Sequence, residues 1–194
     1  MVAVNSTMLP LGTAAPGFTL RDATTGTDVS LSDFDDKPVV LVMFISNHCP
    51  YVKHVAAELG RLGRDYGPQG VAVVAIGSND TENYPDDAPV RMVEFAAANG
   101  FTFPYLHDET QEVALAYRAA CTPDFFVFDT DRKLVYRGQL DGARPSNDVP
   151  VDGRDLRAAL DAALDGRPVP EPHAPSMGCN IKWKAGNAPD YFLG

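Results

Sequence analysis

Cys49 is the residue of this sequence best placed for nucleophilic chemistry. It follows a continuous apolar run, Val39–Ile45, and it directly precedes Pro50, where a helical pattern begins. Proline is favoured at the first helical position, so Cys49 is predicted to be the N-cap of a helix. The N–H groups and positive end of such a helix lower the pKa of a cysteine and favour its thiolate, which is the nucleophile. The alternative interpretation of Cys49 is a small, inert core residue.

Two other cysteines complete the set. Cys121 lies two residues before Pro123, at the start of an apolar run, and Cys179 lies near the end of the chain. Because proline cannot donate to a strand ladder, the position before this run is a natural place for a cis peptide bond between Thr122 and Pro123. Three cysteines are too few for a disulfide framework, so in a reducing compartment they are inert or catalytic.

The elements that must position these residues alternate between strands and helices. Two runs around residues 18–20 and 27–29 predict a β-hairpin, and the apolar runs at 39–45 and 71–76 predict buried parallel strands joined by a helix that begins at Pro50. The remaining predicted elements are helices at 89–99, 111–119 and 154–164 and strands at 103–106, 125–128 and 134–138. This order predicts an α/β fold with a central mixed sheet flanked by helices.

The last 28 residues differ from the rest of the chain. Their prolines predict neither a helix nor a strand, yet they contain Trp183 and other aromatic side chains that need burial. We therefore expect one domain over residues 1–166 and an irregular, extended C-terminal tail over residues 167–194 that packs on it.

In three segments the sequence resembles the thioredoxin superfamily, most closely its peroxiredoxin-like branch, the AhpC/TSA or redoxin domains. The segments are Leu11–Leu20, Asn47–Val52 and Pro175–Lys184. The resemblance implies a thioredoxin-like fold, in which Cys49 matches the first cysteine of a CxxC motif and Thr122-Pro123 matches the cis-proline loop beside it. It also implies that Ser46, His48, Pro50, Tyr51, Thr122 and Pro123 shape the site.

Departures from the family pattern bear on the expected reaction. Val52 occupies the second CxxC position, so the usual resolving cysteine is absent, and Pro123 stands where peroxiredoxins carry an activating arginine. Loss of one preorganised donor typically costs roughly 10²–10³ in rate, which argues against a fast peroxidase unless Arg118 or Arg144 substitutes. A second thiol is still needed to release oxidised Cys49; Cys121 is the better candidate by topology and Cys179 is the other.

The sequence therefore predicts an oxidoreductase that exchanges thiols and disulfides through Cys49, with no cofactor. Its expected partners are a small thiol or a protein disulfide reductant, with a hydroperoxide as an alternative substrate in a slow, antioxidant thiol peroxidase. An alternative of another class is a non-enzymatic binding or metal-carrying module, in which His48, Cys49 and His54 invite a metal interpretation. We expect no bound metal, since such sites favour at least two thiolates or well-spaced imidazoles.

Charge and hydropathy exclude some classes of partner. The chain has 26 acidic and 16 basic residues, a net charge of −10, and no run of Lys or Arg, which argues against a nucleic-acid or anionic-membrane surface. No apolar stretch approaches the roughly 20 residues that span a bilayer, and the first residues do not resemble a signal peptide. We expect a cytoplasmic protein. The acidic segment 80–87 is expected to form a solvated lip of the site.

Overall fold

The computed structural model describes residues 3–192, and a seven-stranded mixed sheet forms its centre. The strands are β2 (Thr19–Asp22), β3 (Asp28–Ser30), β4 (Val39–Phe44), β5 (Val71–Gly77), β6 (Tyr105–His107), β8 (Asp124–Phe128) and β9 (Leu134–Gly138). Their order in the sheet is β3-β2-β6-β5-β4-β8-β9. The innermost strands, β4 and β5, are buried along their whole length and pair in parallel, as their unbroken apolar sequences predict.

Helices cover both faces of this sheet. One face packs against α1 (Pro50–Tyr66), α2 (Pro89–Ala98) and α4 (Arg154–Leu164), and the other packs against α3 (Glu112–Ala116). Three short 3₁₀ helices, at Leu31–Phe34, Gly67–Gln69 and Pro85–Asp87, connect the larger elements. The predicted hairpin, the parallel strand pair with its crossover helix and the mixed sheet are confirmed.

A second sheet of three strands was not predicted. It consists of β1 (Ala3–Asn5), β10 (Met177–Asn180) and β7 (Cys121–Thr122), with β10 in the middle and both pairings antiparallel. A strand from the start of the chain and a strand from its tail therefore pair beside β7, the strand that directly precedes Pro123.

The expectation that the tail forms no strand is wrong at β10. Met177-Gly178-Cys179-Asn180 shows no alternation of apolar and polar residues that would identify a strand. It becomes one because β7 and β1 offer free backbone edges on either side. Residues 1–2 of the predicted domain and residues 193–194 of the predicted tail lie outside the described residues.

Candidate active site

Cys49 occupies the predicted junction between β4 and α1. It is the N-cap of α1, with an extended backbone (φ −67°, ψ 122°), and Pro50 is the first helical residue. The Thr122–Pro123 peptide bond is cis, and the carbonyl oxygen of Thr122 lies 3.1 Å from the Cys49 sulfur. The strand–helix junction and the cis-proline loop therefore meet at this sulfur.

Cys179 is the cysteine that contacts Cys49. In the three-stranded sheet Cys179 pairs directly with Thr122, and its thiol hydrogen-bonds to the Cys49 sulfur. Cys49 is fully buried and Cys179 is 3% exposed, so neither sulfur is open to large molecules in this conformation. The pairing of β10 with β7 thus brings together two thiols that are 130 residues apart in the sequence.

The surroundings of Cys49 favour its thiolate. The hydrogen bond from the Cys179 thiol is the largest cause, and with the side chain of Thr122 and the backbone N–H of Val52 it overcomes burial and lowers the pKa of Cys49 to about 6. The backbone N–H of Tyr51 donates to Cys179, so N–H groups in the first turn of α1 donate to both sulfurs. The Cys179 pKa is raised, first by the hydrogen bond with Cys49 and then by burial. The shared proton is therefore favoured on Cys179 and the negative charge on Cys49.

Cys121, the candidate preferred on topology, is oriented differently. It pairs with Asn180, and because successive residues of a strand alternate faces, its side chain lies on the opposite face of the small sheet from Cys179. Its sulfur lies 3.6 Å from the carbonyl oxygen of Pro123, and burial raises its pKa well above the usual value. These features fit a structural core cysteine.

Ser46 and His48 are both bound to a carboxylate, that of Asp87. The Ser46 hydroxyl donates to both of its oxygens at 3.1 Å, and His48 Nδ1 lies 2.7 Å from Oδ2. The backbone N–H of Asn47 and the side chain of Asn79 also donate to it, each at 2.6 Å. Ser46 is therefore directed towards Asp87 and supports His48.

Asp87 is the site residue that sequence reasoning missed. The expected solvated lip is wrong at Asp80 and Asp87, which are each 4% exposed, although Glu82 and Asp86 in the same segment are exposed. Burial alone would raise the Asp87 pKa, but the hydrogen bonds from His48 and Asn79 lower it. The hydrogen bond between Asp87 and His48 also raises the pKa of His48. The His48 ring stacks on that of Tyr84, with 5.6 Å between the ring centroids. An ion pair thus lies beside Cys49.

Neither arginine proposed from the sequence contacts Cys49 within residues 3–192. Arg118 lies over the Tyr191 ring at 4.6 Å, and Arg144 donates to Gln139 and to the carbonyl oxygens of Asp141 and Ala143. The other predicted site residues are close: Pro50 opens α1, and Tyr51 lines a narrow crevice together with Pro123. The cations near the two sulfurs are His48 and Lys182.

Two kinds of feature are absent from the described part of the chain. Between residues 3 and 192 no three or more His, Cys, Asp or Glu side chains are grouped so that they could hold a metal ion. Over the same residues no helix is both long and apolar enough to cross a bilayer.

Comparisons with known proteins place this architecture in a family. The AhpC/TSA family model matches residues 11–137, about two thirds of the chain. A crystal structure of an uncharacterized conserved protein from Geobacillus kaustophilus superimposes with a TM-score of 0.93 at 59% identity, covering 95% of this chain and 97% of its own.

Two curated relatives carry functional names. A candidate peroxiredoxin of Mycobacterium tuberculosis is 32% identical over 142 residues, covering 67% of this chain and 85% of the relative. The thiol-disulfide oxidoreductase ResA of Geobacillus thermodenitrificans is 27% identical over 128 residues, covering 66% and 68% respectively. The chain belongs to the AhpC/TSA family. The predicted thioredoxin-like fold and the prediction of an oxidoreductase acting on thiols or peroxide are confirmed.

Proposed function

We propose that this protein is a thiol–disulfide oxidoreductase in which Cys49 is the nucleophile and Cys179 is the resolving cysteine. The observation that carries the proposal is the hydrogen bond from the Cys179 thiol to the Cys49 sulfur. This contact is the largest cause of the lowered pKa of Cys49, and it holds the second thiol against the Cys49 sulfur. Cys121 has no part in the proposed cycle.

The cycle needs two exchange steps. The Cys49 thiolate attacks one sulfur of a substrate disulfide, forming a mixed disulfide and releasing the other sulfur as a thiolate, which takes up a proton. Cys179 then loses its proton and attacks the Cys49 sulfur, which forms the Cys49–Cys179 disulfide and releases the second substrate thiol. The substrate gains two electrons, and two molecules of an external small thiol, or one protein dithiol, return two electrons to the protein and leave as a disulfide.

A slow thiol peroxidase, acting as an antioxidant, is the second candidate. The burial of both sulfurs favours this alternative, because a hydroperoxide is small enough to enter where a folded protein substrate is not. In this reaction Cys49 takes one peroxide oxygen as a sulfenic acid, the other leaves as water or an alcohol, and attack by Cys179 releases a second water. The positions of Arg118 and Arg144 and the engagement of Ser46 with Asp87 argue for a low rate.

The proposal extends to the cellular setting. A cycle that rests in the dithiol form fits a reducing compartment, so we place the protein in the cytoplasm. The metal-carrying alternative has little support, because His48 Nδ1 is occupied by Asp87 and His54 is exposed on α1.

Turnover of a small disulfide with an excess of thiol reductant tests the proposal. Cys49→Ser is expected to abolish turnover, and Cys179→Ser to slow it at least about tenfold and to accumulate a mixed disulfide on Cys49. Cys121→Ser is the matched control, a third buried cysteine, and should retain most of the wild-type rate. A Cys179→Ser variant that turns over like the wild type would refute the role of Cys179. The same variants assayed for hydroperoxide consumption decide between the two substrate classes.

A further inference from the structure

Lys182 is a buried lysine in the tail segment that carries Cys179. It follows Cys179 by three residues, and the residue is only 8% exposed. Its backbone N–H donates to the side chain of Asn79 at 2.8 Å, and its carbonyl oxygen accepts from the N–H of Asp80 at 2.8 Å. The position of Lys182 is therefore fixed by its main chain, independently of its ammonium group.

The ammonium group of Lys182 has no carboxylate partner within 4.0 Å among residues 3–192. Its neighbours are the carbonyl and side-chain oxygens of Asn180, at 3.0 and 2.6 Å, and the Tyr84 ring, whose centroid lies 5.9 Å away. Burying a cation costs several kcal/mol unless an anion compensates it. The nearby carboxylate, Asp87, is already paired with His48.

The negative charge that remains is that of the two sulfurs. We propose that Lys182 is the counter-cation of the Cys49–Cys179 pair: it stabilises the thiolate on Cys49 in the reduced protein and then the thiolate on Cys179 once Cys49 has reacted. This inference rests on the proposed function and adds the residue that controls the charge of the pair. Lys182 acts here through the sulfurs as a positioning residue.

The electrostatic surroundings support this assignment. Burial lowers the pKa of Lys182, while the sulfurs of Cys179 and Cys49 and the carboxylate of Asp87 act in the opposite direction. Lys182 in turn lowers the pKa of Cys179. The groups whose charge or hydrogen bonds act on the two sulfurs from the packed elements are Thr122, Cys121, His48, Lys182 and the N–H groups of Tyr51 and Val52.

The same arrangement explains how Cys179 becomes reactive at the right stage. While Cys49 is a thiolate, its negative charge and its hydrogen bond keep the Cys179 proton in place. When Cys49 is bound in a mixed disulfide, that charge is gone, and the positive charge of Lys182, which lowers the pKa of Cys179, acts on the remaining thiol of the pair. Cys179 then ionises more easily and attacks Cys49, which completes the second exchange.

A thiolate titration by ultraviolet absorbance tests the inference without requiring reagent access to the sulfurs. Lys182→Met is expected to raise the pKa of Cys49 by about one unit, which is a tenfold change in ionisation, and to slow disulfide closure about tenfold below pH 8. Closure should recover at higher pH, and Lys182→Arg should restore most of both properties. Lys184→Met, in the same tail and partly exposed, is the control and should change neither.

A measurement on the unmutated chain guards against misfolding of the variants. Oxidation to the Cys49–Cys179 disulfide removes the thiolate, so the pKa of Lys182, followed by NMR, should fall. Unchanged Cys49 titration and closure in Lys182→Met, or a Lys182 pKa that is insensitive to oxidation, would overturn the inference. Failure of the wild type to form the disulfide would refute the proposed function, whereas the Cys49 titration in Lys182→Met would still decide the role of Lys182.

Discussion

Four groups of alternating charge make up the cluster at the candidate site: Asp87, His48, Cys49 and Lys182. Asp87 and His48 compensate each other at 2.7 Å, which leaves the thiolate and the ammonium as the second pair. The cluster is close to neutral as a whole although the protein carries a net charge of −10. A buried thiolate is tolerated here because its charge is matched locally.

Replacing Asp87 tests the first of these pairs. Asp87→Asn is expected to lower the pKa of His48, since the hydrogen bond to Asp87 is the largest cause of its rise, and to reduce the free energy of unfolding by about 3 kcal/mol. NMR titration of His48 and urea unfolding measure the two effects. The exposed neighbour offers a control, since Asp86→Asn should alter neither.

The destabilisation caused by Asp87→Asn should depend on pH in a definite direction. The lowered pKa of Asp87 gives stability that is present above its unfolded pKa of 3.8 and is lost as pH falls through the folded pKa. The raised pKa of His48 gives stability that is present below its unfolded pKa of 6.5 and is lost as pH rises through the folded pKa. The destabilisation by Asp87→Asn should therefore be largest between about pH 4 and 6.5 and smaller at pH 8. A pH-independent loss would contradict the ion pair.

At this scale sequence reasoning identified the position of Cys49 at the start of a helix and missed the residues that surround it. Cys49 was identifiable because a buried run, a proline and a helical pattern fix its backbone position. Asp87 was not, because it lies in an acidic segment whose composition is that of a solvated loop, and its burial depends on donors from residues 46–48 and 79. Lys182 likewise gains its role from a tertiary neighbour.

Strand β10 is the element that makes the site possible. It delivers Cys179 to Cys49, and its close approach to β7 requires a glycine: a Cβ at Gly178 would lie 1.9 Å from the carbonyl oxygen of Thr122. Since that neighbour is backbone of the cis-proline loop, it cannot move aside as a flexible side chain would.

Gly178→Ala is consequently expected to separate β10 from β7. Both Cys49 and Cys179 should then react with a small alkylating reagent roughly tenfold faster or more at pH 7, since a local opening made about 1.4 kcal/mol easier is ten times more populated. Gly17→Ala serves as the control, because a Cβ at Gly17 meets nothing within 4 Å. Equal alkylation rates in wild type and Gly178→Ala would show that β10 does not cover the sulfurs.

The elements of the central sheet could be predicted and those of the small sheet could not. Long apolar runs such as β4 and β5 carry their own signal, because burial on both faces requires it. Strands β1, β7 and β10 have two to four residues each and are defined only by pairing with one another. The local sequence of such a short segment does not specify the strand with which it will pair.

Over the whole molecule, the N-terminal strand β1 and the tail strand β10 converge on the cis-proline loop. β1 holds the outer edge of β10, and the segment after β10 is anchored to the domain by Gln111, whose side chain donates to the carbonyl oxygen of Lys182 at 2.9 Å. The matched family region ends at residue 137, so the resolving cysteine of our proposal lies outside it. The central domain was therefore recognisable from sequence, and so was the resemblance of the tail at Pro175–Lys184, but the strand that this tail forms against β7 was not.

The central claim is that Cys49 and Cys179 form one redox pair. It is tested most directly by treating the reduced protein with one equivalent of a small disulfide or hydroperoxide and mapping its peptides without reduction. We expect a disulfide crosslink between the peptides of Cys49 and Cys179, with Cys121 left as a free thiol. Cys49 recovered as sulfinic acid beside a free Cys179, or joined to Cys121, would contradict it.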